Sequence, residues 1–284
     1  MLGDWLGEPA IALALVAAGA LYTGADRRVR RERGGRGFPA TRRWAFLGGL
    51  VAIFAALESP IDASVATSFW VHMVQHLLLA MVAPPLLVFG APVALTLASL
   101  PSDARRPLVS VLHSGPARAA SSPLVAWALF FGVMWGTHFS GLYEASLRNA
   151  GVHAAEHLAY LGTGLLFWTP VLGRDAVPAR LSHPARILYL FLAMPAMAFL
   201  GLAIFSADHV LYPTYALAEG AGAALADQRV AGALMWTGGM FLIVPALAFV
   251  LFDWMRADER EGRRVDALLV REGTRAGAAG GSGP

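Results

Sequence analysis

The sequence predicts an all-α, polytopic membrane protein with seven transmembrane helices, the N-terminus outside and the C-terminus cytoplasmic. Three observations carry that expectation. Only 14% of the 284 residues are charged and 57% are hydrophobic, whereas soluble domains carry about 25% charged residues. Apolar segments recur at 8–24, 43–57, 68–90, 123–139, 152–170, 185–206 and 230–252, most of them near the ~20 residues a helix needs to cross the hydrocarbon core. The arginines alternate with these segments so that one membrane face collects nearly all of them.

The first segment follows Asp4 and Glu8 and precedes the arginines, which is the wrong charge order for a secretory signal. The linker 25–43 holds eight arginines, including RRVRRER. The second segment is short, and Arg42 and Arg43 must snorkel for it to span. The third is helix-compatible from Phe69 to Ala83. Pro84 and Pro85 then remove backbone donors and crowd the preceding turn, which predicts a kink near the bilayer centre. Arg105, Arg106 and Arg118 follow this span, Arg174, Arg180 and Arg186 lie between spans five and six, and six more occupy the tail. With seven spans, twenty of the 22 arginines fall on one side and only Arg148 and Arg229 on the other. Six spans would scatter them over both faces. The sequence pI near 9.7 is therefore a topology and lipid-headgroup signal, with no nucleic-acid patch.

The organisation expected is a seven-span membrane domain over 1–252 and a cytoplasmic tail over 253–284. DWMRADEREGRR reads as a short charged helix, and the terminal GAAGGSGP as disordered. The outer connection 207–229, rich in Gly and Ala, should carry some local structure. The chain has no cysteine, which excludes disulfides and thiolate metal sites.

This topology gives each histidine a depth. His72 and His76 open span three from the outside, His138 closes span four, His153 and His157 open span five, and His209 follows span six. Six of the eight histidines thus share one outer layer. His113 and His183 fall in cytoplasmic loops, where solvated side chains are expected. His72 and His76 are four apart and project from one helix face. His153, Glu156 and His157 share a face in the same way. Such pairs can chelate one cation, or place a ligand beside the residue that orients it. Spans three to six also read as two hairpins with matching histidine placement, which would bring the imidazoles together around a common axis. A single buried histidine is usually a hydrogen-bonded structural residue. Polar residues within a membrane, however, face the bundle interior and cluster at functional sites.

Imidazole suits copper, zinc, nickel and iron, and thioethers select Cu(I). Met73 adjoins His72 and Met134 lies one turn before His138. With no cysteine on an oxidising face, these methionines tilt the expectation from zinc toward copper, although a lone methionine is ordinary core filler. Three competing readings exist. A b-type haem electron carrier would clamp iron between helices, but two histidines on one face cannot ligate opposite sides of a haem. A metallohydrolase is suggested by HAAEH, a short His-x-x-Glu-His match. Transport across the bilayer would need polar residues farther down the spans, and these are nearly absent.

With these residues laid out, the chain resembles the CtaG family of caa3-type cytochrome c oxidase assembly factors. The resemblance rests on HMVQHLLLAMVAPPLLVFGAP, on HFSGLYEASLRNAGVHAAEHLAYLGTGLLFWTPVLG, and on LYPTYALA followed by DQRVAGALMW. The first span, the linker and the tail take no part in it. The resemblance implies a multi-pass protein of the bacterial plasma membrane that helps build the oxidase, with copper delivery as the expected stage. Its partners would be oxidase subunits and an extracytoplasmic copper chaperone. A carrier is expected, not an enzyme. Copper, as Cu(I), would be held by a subset of His72, His76, His153 and His157, completed by His138, His209 or a methionine. Glu156, a hard ligand, would orient a histidine or balance charge. The resemblance also draws attention to Asp227 and Gln228, where Asp227 has a helix N-cap role as an equal alternative to metal binding.

Overall fold

Prolines open many of the helices: Pro60, Pro92, Pro123, Pro184 and Pro213 each occupy a first or second helical position, where no N–H is needed. The computed structural model describes residues 9–173 and 181–280. Among the described residues every regular element is a helix. In chain order these are α1 (Pro9–Glu32), α2 (Ala40–Leu57), α3 (Pro60–Ser64) and α4 (Phe69–Leu77). A wider turn at Leu78–Val82 leads into α5 (Ala83–Gly90), α6 (Pro92–Ser99), α7 (Ser102–Leu112) and α8 (Gly115–Ala120). Then come α9 (Pro123–Phe139), α10 (Leu142–Ser146), α11 (Ala150–Leu172), α12 (His183–Phe205), α13 (Pro213–Glu219) and α14 (Ala221–Gly280).

Five helical stretches are long and apolar enough to cross a membrane: Pro9–Glu32, Ala40–Ser64, Phe69–Ser99, His183–Phe205 and Ala221–Val265. α9 is apolar but shorter, and α11 carries the polar residues His153, Glu156 and His157. The chain is thus an all-helical membrane protein, and each apolar segment read from the sequence lies on a helix.

Three details differ from expectation. α2 begins at Ala40, so Arg42 and Arg43 lie inside its first turn. Arg43 sits 3.7 Å from the buried carboxylate of Asp26 on α1, and Arg30 Nε is 3.0 Å from the same oxygen. Arg43 thus pairs across the α1–α2 hairpin, and Arg42 lies over the Phe38 ring, its guanidinium carbon 5.0 Å from the centroid. The expected kink lies one turn before the prolines, where Leu78–Val82 adopts i→i+5 hydrogen bonding. Pro84 and Pro85 supply no N–H to the carbonyls behind them, and the wider turn absorbs that loss. Gly164 of α11 packs against this turn, since a Cβ there would lie 2.8 Å from the Ala80 carbonyl oxygen. Finally, α14 starts at Ala221 and continues through DWMRADEREGRR to Gly280. Helix formers and pairs such as Arg263–Glu259 support that continuation. Residues 281–284 of the tail, together with Arg174 and Arg180, lie outside the described residues.

The packing places one end of α4, α9, α11, α12 and α14 side by side. α12 and α14 approach backbone to backbone at Gly201 and Gly232. A Cβ on Gly232 would fall 2.5 Å from the Phe205 nitrogen, and one on Gly201 2.6 Å from the Gly232 oxygen. Where lipid and protein are equally apolar, such close contact holds helices together. A continuous core of Phe69, Phe130, Phe167, Tyr189, Met197 and Met235 runs through this bundle. A second core joins the α1–α2 hairpin to α5, with Tyr22 stacked on Phe46 at 4.1 Å and its hydroxyl donating to the Gly90 carbonyl at 2.7 Å.

Candidate metal centre

The helix that carries His72 and His76 is capped from elsewhere in the chain. Ser68, the residue before α4, makes no side-chain cap bond. Asp227 of α14 takes over: Oδ2 accepts from the Phe69 N–H at 2.6 Å and the Ser68 hydroxyl at 3.3 Å, and Oδ1 from the Trp70 N–H at 3.2 Å. Asp227 is therefore an N-cap, but of α4 and not of its own helix. A carboxylate at a helix start also complements the helix dipole. α11 is capped locally, the Asn149 side chain accepting from Gly151 and Val152.

These two anchored helix starts bring four imidazoles together. His72, His76, His153 and His157 each offer a nitrogen, and the four nitrogens lie within 4.8 Å of one another. Around one ion, bonds of about 2.0–2.1 Å would set nitrogens ~3.4 Å apart, so modest rotations close the set. His72 and His153 already bring Nε2 to Nε2 at 3.1 Å.

Outer partners determine which nitrogens face inward. The Tyr215 hydroxyl donates to the Val65 carbonyl at 3.0 Å, so toward His72 Nδ1, 3.0 Å away, it acts as acceptor. His72 is thereby held with Nδ1 protonated and the Nε2 lone pair aimed at His153. Burial pushes the Tyr215 hydroxyl well above the ordinary tyrosine range, which keeps this donor intact. Gln75 acts in the same way on His157. Its amide nitrogen points at two acceptors, the Ala56 carbonyl at 2.8 Å and Asp62 Oδ1 at 2.7 Å. Its oxygen must then accept from His157 Nε2, 3.1 Å away, leaving the His157 Nδ1 lone pair available. Such partners orient ligands and fix tautomers at metal sites.

His76 is the exception. It is 1% exposed, yet neither ring nitrogen has a hydrogen-bond partner among the described residues. Its Nε2 lies 4.0 Å from Glu156 Oε2, which also lacks a partner, while Glu156 Oε1 accepts from Tyr160. Buried polar atoms left unpaired are costly, and their position among three other imidazoles suits a cation.

Of the other expected residues, His138 is buried beside the cluster, with its ring centroid 6.1 Å from that of His76. Its Nδ1 donates to the Met134 carbonyl at 2.7 Å, so Met134 contributes its backbone. Met73 is fully buried, with its sulfur 3.5 Å from His138 Nε2. His209 is not brought to the cluster. It lies in the turn after α12, its ring 72% exposed and bonded to Asp208, whose carboxyl it holds below the usual range. Gln228, 1% exposed, pins this turn by bonding the Leu211 N–H and the His209 carbonyl. The two-hairpin symmetry of the histidines therefore fails at its last member. At the opposite end, His113 is exposed as expected, but His183 sits 3.3 Å from Asp253. Gln75, Tyr143, Tyr160 and Tyr215 were not singled out from the sequence. The faint signals were Gln75 between two histidines in HMVQH and the tyrosines of LYPTYALA.

A helical membrane protein with a buried four-histidine cluster at one end of its bundle is the class that fold and site define. Residues 20–257 match the model of the cytochrome c oxidase caa3 assembly factor family, CtaG, and the chain belongs to that family. The match reaches farther toward the N-terminus than the motifs that carried the resemblance, taking in the arginine-rich linker. Among relatives, the chain is 30% identical to uncharacterised proteins of Mycobacterium bovis and Mycobacterium tuberculosis, over 94% of its own length and 42% of theirs. It is 29% identical to an uncharacterised protein of Mycobacterium leprae, over 92% of its length and 41% of that protein's. The chain thus spans less than half the length of these curated relatives. No solved structure matches it.

The donor set fits a borderline or soft ion. Four imidazoles suit copper or zinc, and the Met73 thioether beside His138 is a donor type that suits Cu(I). The rings of Tyr143 and Tyr160 pack against His76, with centroids 5.9 and 4.4 Å away.

Proposed function

We propose that this chain is a membrane-embedded carrier that holds Cu(I) at His72, His76, His153 and His157 and passes it to a cytochrome c oxidase during assembly. The observation that carries the reading is His76: a buried imidazole with both nitrogens unpartnered, among three histidines of which two, His72 and His157, are already oriented by outer partners. Family membership supplies the oxidase, and the arginine distribution supplies the topology. Seven spans in the bacterial plasma membrane, with the N-terminus outside, put the cluster on the extracytoplasmic side, where a copper chaperone could load it.

The four histidines would bind and orient the ion, which is cargo and undergoes no reaction. His153 is partly exposed, so it is the natural point at which ligand exchange begins. Moving its proton from Nε2 to Nδ1 frees Nε2 for the ion without changing net charge. His72, locked by Tyr215, and His157, set by Gln75, need no such rearrangement. Glu156 beside His76 balances the added positive charge and leaves the soft ion to nitrogen.

In cells whose only copy of this protein carries His72→Ala and His76→Ala, oxidase should accumulate with its copper depleted, and external copper should restore part of it. Oxidase with full copper content in those cells would contradict the reading.

A further inference from the structure

His138 has one nitrogen fully explained. Its Nδ1 sits 2.7 Å from the Met134 carbonyl, which can only accept, so the proton is there. Nε2 therefore presents a lone pair, and the atom it faces at 3.5 Å is the Met73 sulfur, itself an acceptor. Two lone-pair donors aimed at each other in a dry interior are unfavourable unless a cation lies between them. With bonds of about 2.0–2.1 Å to nitrogen and about 2.3 Å to sulfur, their separation subtends about 105° at a shared ion, near the tetrahedral value. His76 lies next to both. Its centroid is 6.1 Å from that of His138, with the rings nearly perpendicular. Two imidazoles on one ion would have centroids about 5–6.5 Å apart.

We propose a second Cu(I) position, deeper than the four-histidine cluster, formed by Met73 Sδ, His138 Nε2 and His76. It rests on the reading of the cluster as a copper site and extends it. The three residues are at most 3% exposed, and the mixed nitrogen and thioether set is softer than four imidazoles, hence more selective for Cu(I) over Zn(II). His76 belongs to both ligand sets. An ion moving inward would keep His76, release the nitrogens of His72, His153 and His157, and gain Met73 and His138. It changes neither charge nor oxidation state and never leaves the protein. On the far side of His138 the hydroxyl oxygens of Tyr160 and Thr137 approach Nδ1 to 3.4 and 3.3 Å.

The test uses the full chain in detergent, dialysed anaerobically to equilibrium against buffered Cu(I) and read by metal analysis and copper X-ray absorption. In a His153→Ala/His157→Ala variant, one Cu(I) should remain, with a sulfur scatterer at about 2.3 Å. Adding Met73→Leu, which conserves volume, should remove the sulfur and weaken binding by more than about tenfold, the least expected for losing even an outer partner. Thermal unfolding equal to that of the parent variant certifies the fold. A double variant that binds no copper, or binds it with a nitrogen-only shell indifferent to Met73→Leu, overturns the second position. In the otherwise wild-type chain, Met73→Leu/His138→Ala should keep one Cu(I) with a nitrogen-only shell; if it binds none while the His153→Ala/His157→Ala variant keeps its sulfur-containing shell, the four-histidine reading fails and the deeper position stands.

Discussion

Tyr215 lies 143 residues from His72 in sequence, yet its hydroxyl decides which imidazole nitrogen faces the cluster. That dependence can be measured. Tyr215→Phe keeps the ring and removes the acceptor, freeing His72 to rotate or change tautomer. Cu(I) affinity should fall about 10- to 100-fold, read by competition with a chromophoric chelator, while the copper-free protein keeps its helical content. An unchanged affinity would mean that the tyrosine merely packs. At this scale the sequence was informative about which histidines gather and silent about what orients them. His72, His76, His153 and His157 could be found because their spacing and depth are local properties. Tyr215, Gln75 and the cap from Asp227 act through contacts that only folding creates. His209 was misplaced for the related reason that a turn after a helix end has no periodicity to say where its side chain points.

At the level of elements, helix existence was legible and helix limits were not. The apolar runs located every long helix, because burial in lipid demands them, but α14 extends beyond its apolar run in both directions. Its additional turns obey ordinary helix propensity and charge pairing, not hydropathy. The double proline announced an irregularity. The wider turn one step before it depends on Gly164 of another helix accepting the displaced backbone. The α12–α14 contact is the element most exposed to a single change. Gly232→Leu puts side-chain atoms where the Phe205 backbone now lies, and should cost at least about 1–3 kcal/mol. It should lower the midpoint of thermal unfolding in detergent. Because Asp227 and Gln228 are carried on α14, the variant should also lose Cu(I) affinity. A stable, fully binding Gly232→Leu protein would show that the two helices can separate without disturbing the site.

The whole molecule poses the question of sidedness. The proposed orientation rests on the charge alternation along the chain. The absence of native cysteine makes it simple to check. Gly141→Cys, beside the histidine end, should react with a membrane-impermeant maleimide added to intact cells stripped of any outer barrier. Ser114→Cys, between α7 and α8, should react only after the membrane is opened. The reverse pattern would place the cluster on the cytoplasmic face and remove the extracytoplasmic loading route. Loading and delivery presuppose that the bundle end binds copper at all, and equilibrium Cu(I) binding to the purified full chain tests this most directly. The wild type should retain Cu(I) against dialysis, and His72→Ala/His76→Ala, which removes ligands of both proposed positions, should retain none. Equal copper in the two proteins, each folded, would contradict the account.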